Sequence, residues 1–221
     1  MNTVCDRSNA SCKGFTLIEL LVVVGVIAVL ASVVIVGLGG ADQSVSLRSA
    51  QATVANALNA ARTRAVTRNV DVALLVHNDP SNPDRYRRVI ALAENVTTSS
   101  PVVVAVFELP KNTGVIPHLS RFNASLRETG NWNGGYSNST MASSLLGSTI
   151  SLTVSSTQSE AWEYRNITPL GTTTAGALIV ATVRHQASGT YPILFVSPDL
   201  VRGFRVSAYS LSRMVNDRFG F

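Results

Sequence analysis

Residues 20–41 form a run of 22 amino acids without one ionisable side chain, and a lone carboxylate, Glu19, stands at its entrance. A helix needs about 20 apolar residues to cross a bilayer, so this run is long enough to span one. A charge at the mouth of such a segment is costly and calls for a partner. The basic residues Arg7 and Lys13 precede the run, and positive charge there favours a cytoplasmic amino terminus. An ordinary secretory signal has a shorter apolar core, about 7–15 residues, followed by a small-residue cleavage site. An uncleaved signal anchor is the plain alternative for this layout.

Immediately before the run the chain reads Lys13-Gly14-Phe15-Thr16-Leu17-Ile18-Glu19. This segment resembles the class III signal of type IV prepilins and type II secretion pseudopilins. The resemblance implies cleavage by a prepilin peptidase between Gly14 and Phe15 and N-methylation of Phe15. It also implies that Glu19 pairs with the amino terminus of a neighbouring subunit during assembly. The implied organisation is a leader over residues 1–14, a transmembrane and filament-core helix over 15–41, an amphipathic continuation over 42–69 and a β-rich head over 70–221. The implied partners are the peptidase, other pilin or pseudopilin subunits and an inner-membrane assembly platform. The protein would be held as a single-pass inner-membrane precursor with its head outside the cytoplasm.

Beyond the apolar run, Gly37, Gly39 and Gly40 weaken the helix, each by about 1 kcal/mol, and a bend is expected there. Helical character returns over residues 45–68. Leu47, Ala50, Val54, Leu58, Ala61 and Ala65 recur at spacings of three and four and share one face. Arg48, Gln51, Asn56, Asn59, Arg62 and Arg68 occupy the others. Such a narrow stripe of small residues suits a helix lying on a sheet. From residue 70 the pattern turns to strands, expected at 70–77, 86–93, 101–109, 149–154, 176–185, 191–196 and 203–209. Turns are expected at 79–84 and 110–117, and a long polar loop at 120–147. Short strands with polar turns argue for an antiparallel head, so the expected fold is α+β, a long helix on an antiparallel sheet. Residues 58–76, with Ala61-Arg62 and Arg68-Asn69 before a Val-rich strand, are similar to the helix-to-strand passage of the GspH/FimT family of minor pilins and pseudopilins. So is the stretch Tyr164 to Gly171, with Pro169 and Gly171.

The two cysteines, Cys5 and Cys12, lie in the expected leader, so the mature chain has neither a disulfide framework nor a cysteine-bound metal. His77, His118 and His185 are far apart and hold no metal-ligand spacing. No hydrolase, zincin or P-loop signature occurs, and neither enzymatic activity nor a cofactor is expected. Trp162 beside Tyr164 reads as a half-buried strand face. The net charge of +5 falls to about +4 once two positive and one negative side chain leave with the leader, consistent with ordinary solvated surface.

Two arginine groups could bind acidic polymer. Arg85, Arg87 and Arg88 follow a turn and open a strand. Arg202-Gly203-Phe204-Arg205, with Arg213 and Arg218 further on, lies near the carboxyl end. Some DNA-uptake members of the FimT group carry a Gly-Arg-x-Arg element there. The present order is inverted at its first two residues. Arg202, Arg205 and Arg213 are thus the candidate nucleic-acid contacts, and DNA binding stands as the alternative to a purely structural role.

Overall fold

The computed structural model describes residues 16–98, 101–118, 143–154, 158–185, 193–196 and 199–221, without the side chains of 31–41. Gly14 and Phe15 lie outside the described residues, as does most of the expected loop at 120–147. The chain divides into two compact units, Met1–Ala41 and Asp42–Phe221.

An α-helix, α1, spans Leu17–Arg68. The glycines at 37, 39 and 40 therefore mark no secondary-structure boundary. In the first unit the described apolar side chains lie open: Leu17, Ile18, Leu20, Leu21, Val22 and their successors to Leu30 are each at least half exposed. Among the described residues no helix is long and apolar enough to cross a membrane; the run of 20–41 continues past Leu30, where the described side chains end.

In the second unit the small-residue stripe is the packing face. Leu47, Ala50, Val54, Leu58, Ala61 and Ala65 are all buried, and alanines there let the helix approach a sheet closely. Among the described residues ten strands follow: β1 (Val72–His77), β2 (Val89–Glu94), β3 (Val102–Glu108), β4 (Thr113–Val115), β5 (Ser148–Leu152), β6 (Glu160–Ile167), β7 (Gly176–His185), β8 (Ile193–Phe195), β9 (Val201–Val206) and β10 (Ser212–Val215). They form two antiparallel sheets. One has the order β3-β2-β1-β6-β5 and the other β10-β9-β7-β4, with β8 paired to β7.

The stripe of α1 shares one core with both sheets. Leu74 and Val76 of β1, Leu92 of β2, Val180 of β7 and Phe204 of β9 pack in it. A second cluster, with Trp162, Leu75 and Ala91, covers the far face of the first sheet. A third, with Tyr86, Ile179 and Phe195, includes the opposite-facing residues of β7. β1 sits between β2 and β6 and is buried along its whole length, which is why its sequence, Val-Ala-Leu-Leu-Val-His, does not alternate.

Five expectations need correction. The strand expected at 86–93 starts at Val89, because Arg87 takes a left-handed φ of 60° that keeps 85–88 in a turn. The turn expected at 110–117 contains β4, a three-residue strand too short to leave a pattern. β10 was not anticipated, and β6 only as the strand face around Trp162 and Tyr164: β6 carries Glu, Tyr, Arg and Asn, and its burial comes from sheet position rather than composition. Trp162 is fully buried rather than half-buried. Gln51, expected on the solvent side of the helix, is buried and donates to the carbonyls of Gly203 and Val215. The turn at Pro169 and Gly171 is present, with Gly171 at φ 70° over Val66 and Arg62 of α1.

Candidate assembly site and arginine face

The start of α1 is closed by its own residues. Thr16 donates to Glu19 Oε2 twice, from the backbone nitrogen at 2.8 Å and from Oγ1 at 2.9 Å. Glu19 N returns a bond to Thr16 Oγ1 at 3.3 Å. This is a capping box, in which the threonine and the glutamate three residues later satisfy helix-end N–H groups reciprocally. A carboxylate in the first turn is also favoured by the helix dipole. Thr16 was missed as a site residue, although Thr-Leu-Ile-Glu is a legible capping signature. Both bonds fall on Oε2, and Oε1 is unused among the described residues. Glu19 is exposed, so a second donor can reach it.

The carboxyl-terminal arginines are divided by strand alternation. Arg205 of β9 faces Arg213 of β10 in direct register. Both are exposed, and neither has an ion pair or hydrogen bond among the described residues. Opposed like charges disfavour a strand pair, and an anion held between them would offset that repulsion. Arg202 points to the other face, with Phe204 and Val206, and donates to Asn216 Oδ1 at 3.0 Å. The intervening Gly203 is structural: a Cβ there would stand 2.2 Å from the Leu178 carbonyl oxygen.

The other arginine group is no binding surface. Arg87 is fully buried and bonds Glu163 at 2.8 Å. Arg88 is buried and pairs with Glu108. Arg85 pairs with Glu160 at 3.1 Å. Their carboxylate partners lie on β3 and β6, far along the chain. Among the described residues no group of three His, Cys, Asp or Glu side chains could hold a metal ion. His77 ends β1, His118 follows β4 and His185 ends β7.

No curated protein and no solved structure matches this chain. Residues 9–35 match the family model described as the prokaryotic N-terminal methylation motif. That match spans Gly14, Phe15 and the capping box, and it marks the amino-terminal segment as type IV prepilin-like.

Proposed function

We propose that this chain is a minor pilin or pseudopilin, stored in the inner membrane as a precursor and assembled into a type IV pilus or type II secretion pseudopilus. Its role in this reading is structural and not enzymatic, and its relatives are of the GspH/FimT type. The observation that carries the reading is the carboxylate of Glu19, held at the head of an open apolar helix inside the methylation motif. An exposed apolar surface of this kind is covered by lipid or by other helices. Residues 20–41 anchor the precursor, with the amino terminus in the cytoplasm and the head outside it. Removal of residues 1–14 by prepilin peptidase exposes the Phe15 amine, which is then methylated.

In the subunit before assembly, Thr16 holds the charge of Glu19 in place. In a packed helix bundle the amine of an adjacent subunit then meets the unused Oε1, where an uncompensated carboxylate would be costly. The test is the amino-terminal mass of protein recovered from its own membrane, together with incorporation of two variants. An N-methyl-Phe15 start is expected, and Glu19→Gln should be processed yet fail to incorporate. An intact Met1 start in cells with active peptidase would favour an uncleaved membrane-anchored domain instead. Normal incorporation of Glu19→Gln would remove the pairing step.

The facing pair Arg205 and Arg213 favours a second reading, a minor pilin that binds DNA for uptake. Phosphates bridging two guanidinium groups would bind in a salt-sensitive manner. The purified full chain should then lose DNA binding when both arginines are replaced by serine, while Arg202→Ser, on the other face, should have little effect.

A further inference from the structure

The connection between β1 and β2, residues 78–88, joins the two sheets. Tyr86 packs in the cluster that covers β7. The Val115 amide of β4 donates to the Arg87 carbonyl. Besides the Arg87–Glu163 and Arg88–Glu108 pairs, a third ion pair ties the connection down at Arg85. Glu160, the first residue of β6, accepts from Asn82 Nδ2 at 3.3 Å and pairs with Arg85 at 3.1 Å. Arg85 also donates to the carbonyl of Val154 at 2.8 Å. His77 lies beneath this knot, fully buried, with Nε2 3.6 Å from Glu160 Oε1. Neither of its ring nitrogens has a hydrogen bond among the described residues. Trp162 stands edge-to-face to the imidazole at 5.0 Å and under the Arg85 guanidinium at 5.8 Å.

With His77 neutral, Arg85 is the cation set against the carboxylates of Glu160 and Asp79. A proton on His77 places a second cation beside Arg85, and the two compete for Glu160. Coulomb repulsion at such a position is strong, and the two cations differ in where they can go. His77 is fixed in a central strand. Arg85 is on a turn and partly exposed, so its long side chain can reach solvent. We propose that His77 is an acid-operated latch: its protonation transfers Glu160 from Arg85 to His77 and loosens the Asn82–Arg85 turn of the connection, while Arg87 and Arg88 keep their own carboxylates. The charged groups facing His77 are Glu160 from β6, Arg85 from the connection and Asp79 immediately after β1. Burial and Arg85 push its pKa below the usual histidine value of about 6.5, while Glu160 and Asp79 oppose them. The latch therefore opens on the acid side of that value.

The test is a histidine NMR titration of the full chain in detergent micelles, with the His77 resonance identified from a His77→Gln sample. Its midpoint should lie below about 6.5. Glu160→Gln should lower the midpoint and Arg85→Gln should raise it, each by about 1 pH unit, the scale set by a neighbouring charge. Amide exchange at Tyr86 and Val89, corrected for its intrinsic pH dependence, should quicken at least several-fold across the wild-type midpoint. Shifts of both variants in one direction would overturn the proposal. So would exchange that stays constant through the midpoint, a result available from the wild-type protein even if a variant fails to fold.

Discussion

Replacing Arg87 should cost this head more than any surface change. The side chain is fully buried and fastens β4, β6 and the residue that follows β1. Its Nε donates to the Val115 carbonyl of β4 at 2.9 Å. Its Nη1 donates to Glu163 of β6 at 2.8 Å and to Asn78 at 3.2 Å, directly after β1. Arg87→Met keeps most of the aliphatic volume and the backbone bonds but removes all three side-chain bonds, and it strips Glu163 of this cation in the interior. Removing one member of a buried ion pair typically costs about 3–5 kcal/mol. For a unit of this size about 2–4 °C of melting temperature is lost per kcal/mol, so a fall of about 6–20 °C is expected. The assay is thermal unfolding of the full chain followed by circular dichroism. Glu163→Leu should be comparably damaging, and the double variant should be less destabilised than the sum of the two, with a coupling of about 1–3 kcal/mol. A melting temperature for Arg87→Met within about 2 °C of wild type, or strict additivity in the double variant, would refute the reading of Arg87 as the staple between the sheets.

The remaining expectations test smaller parts of the same structure. Gly203→Ala should destabilise by about 1–3 kcal/mol in a denaturant titration, because the new Cβ meets backbone of β7 that cannot move aside. Gln51→Leu should cost about 2 kcal/mol by the same measurement and quicken exchange along β10, since two buried carbonyls lose their shared donor. Arg213→Thr should leave the melting temperature unchanged or raise it, because it ends the repulsion with Arg205 across the strand pair. Stability should fall with pH below about 6.5. The folded His77 has a lowered pKa, so in that window the unfolded chain binds the extra proton and folding is penalised. His77→Phe should flatten that part of a stability-against-pH curve.

What the sequence disclosed is what depends on near neighbours. The helix stripe was readable because residues three and four apart share a face, and all six of its members are buried. Thr16 and Glu19 are three residues apart, so the capping box was equally available to a reader of the chain. β1, β2, β3 and β7 were readable as runs of Val, Leu, Ile and Ala. β6 showed only as the strand face around Trp162 and Tyr164, because polar residues fill much of it and its partners on β1 and β5 are distant in the chain. A strand made by its place in a sheet carries no strong period of its own.

The two arginine groups show why charge in particular resists this kind of reading. Arg85, Arg87 and Arg88 form the densest basic cluster in the chain, yet each has a carboxylate waiting on β3 or β6, between 20 and 76 residues away. Their local surroundings give no hint of those partners. Arg205 and Arg213 are eight positions apart and only moderately clustered, yet strand register sets them face to face with no counter-ion among the described residues. Density of like charge along a sequence therefore says little about an electrostatic surface, since burial and pairing are decided across the sheet. If the chain binds an anion, the geometry assigns it to the sparser pair. A binding assay with Arg205 and Arg213 replaced, set beside Arg202→Ser as the opposite-face control, separates that assignment from a general effect of net charge. Loss in the first with retention in the second requires the strand register seen here, whereas equal losses would mean that charge alone was being read.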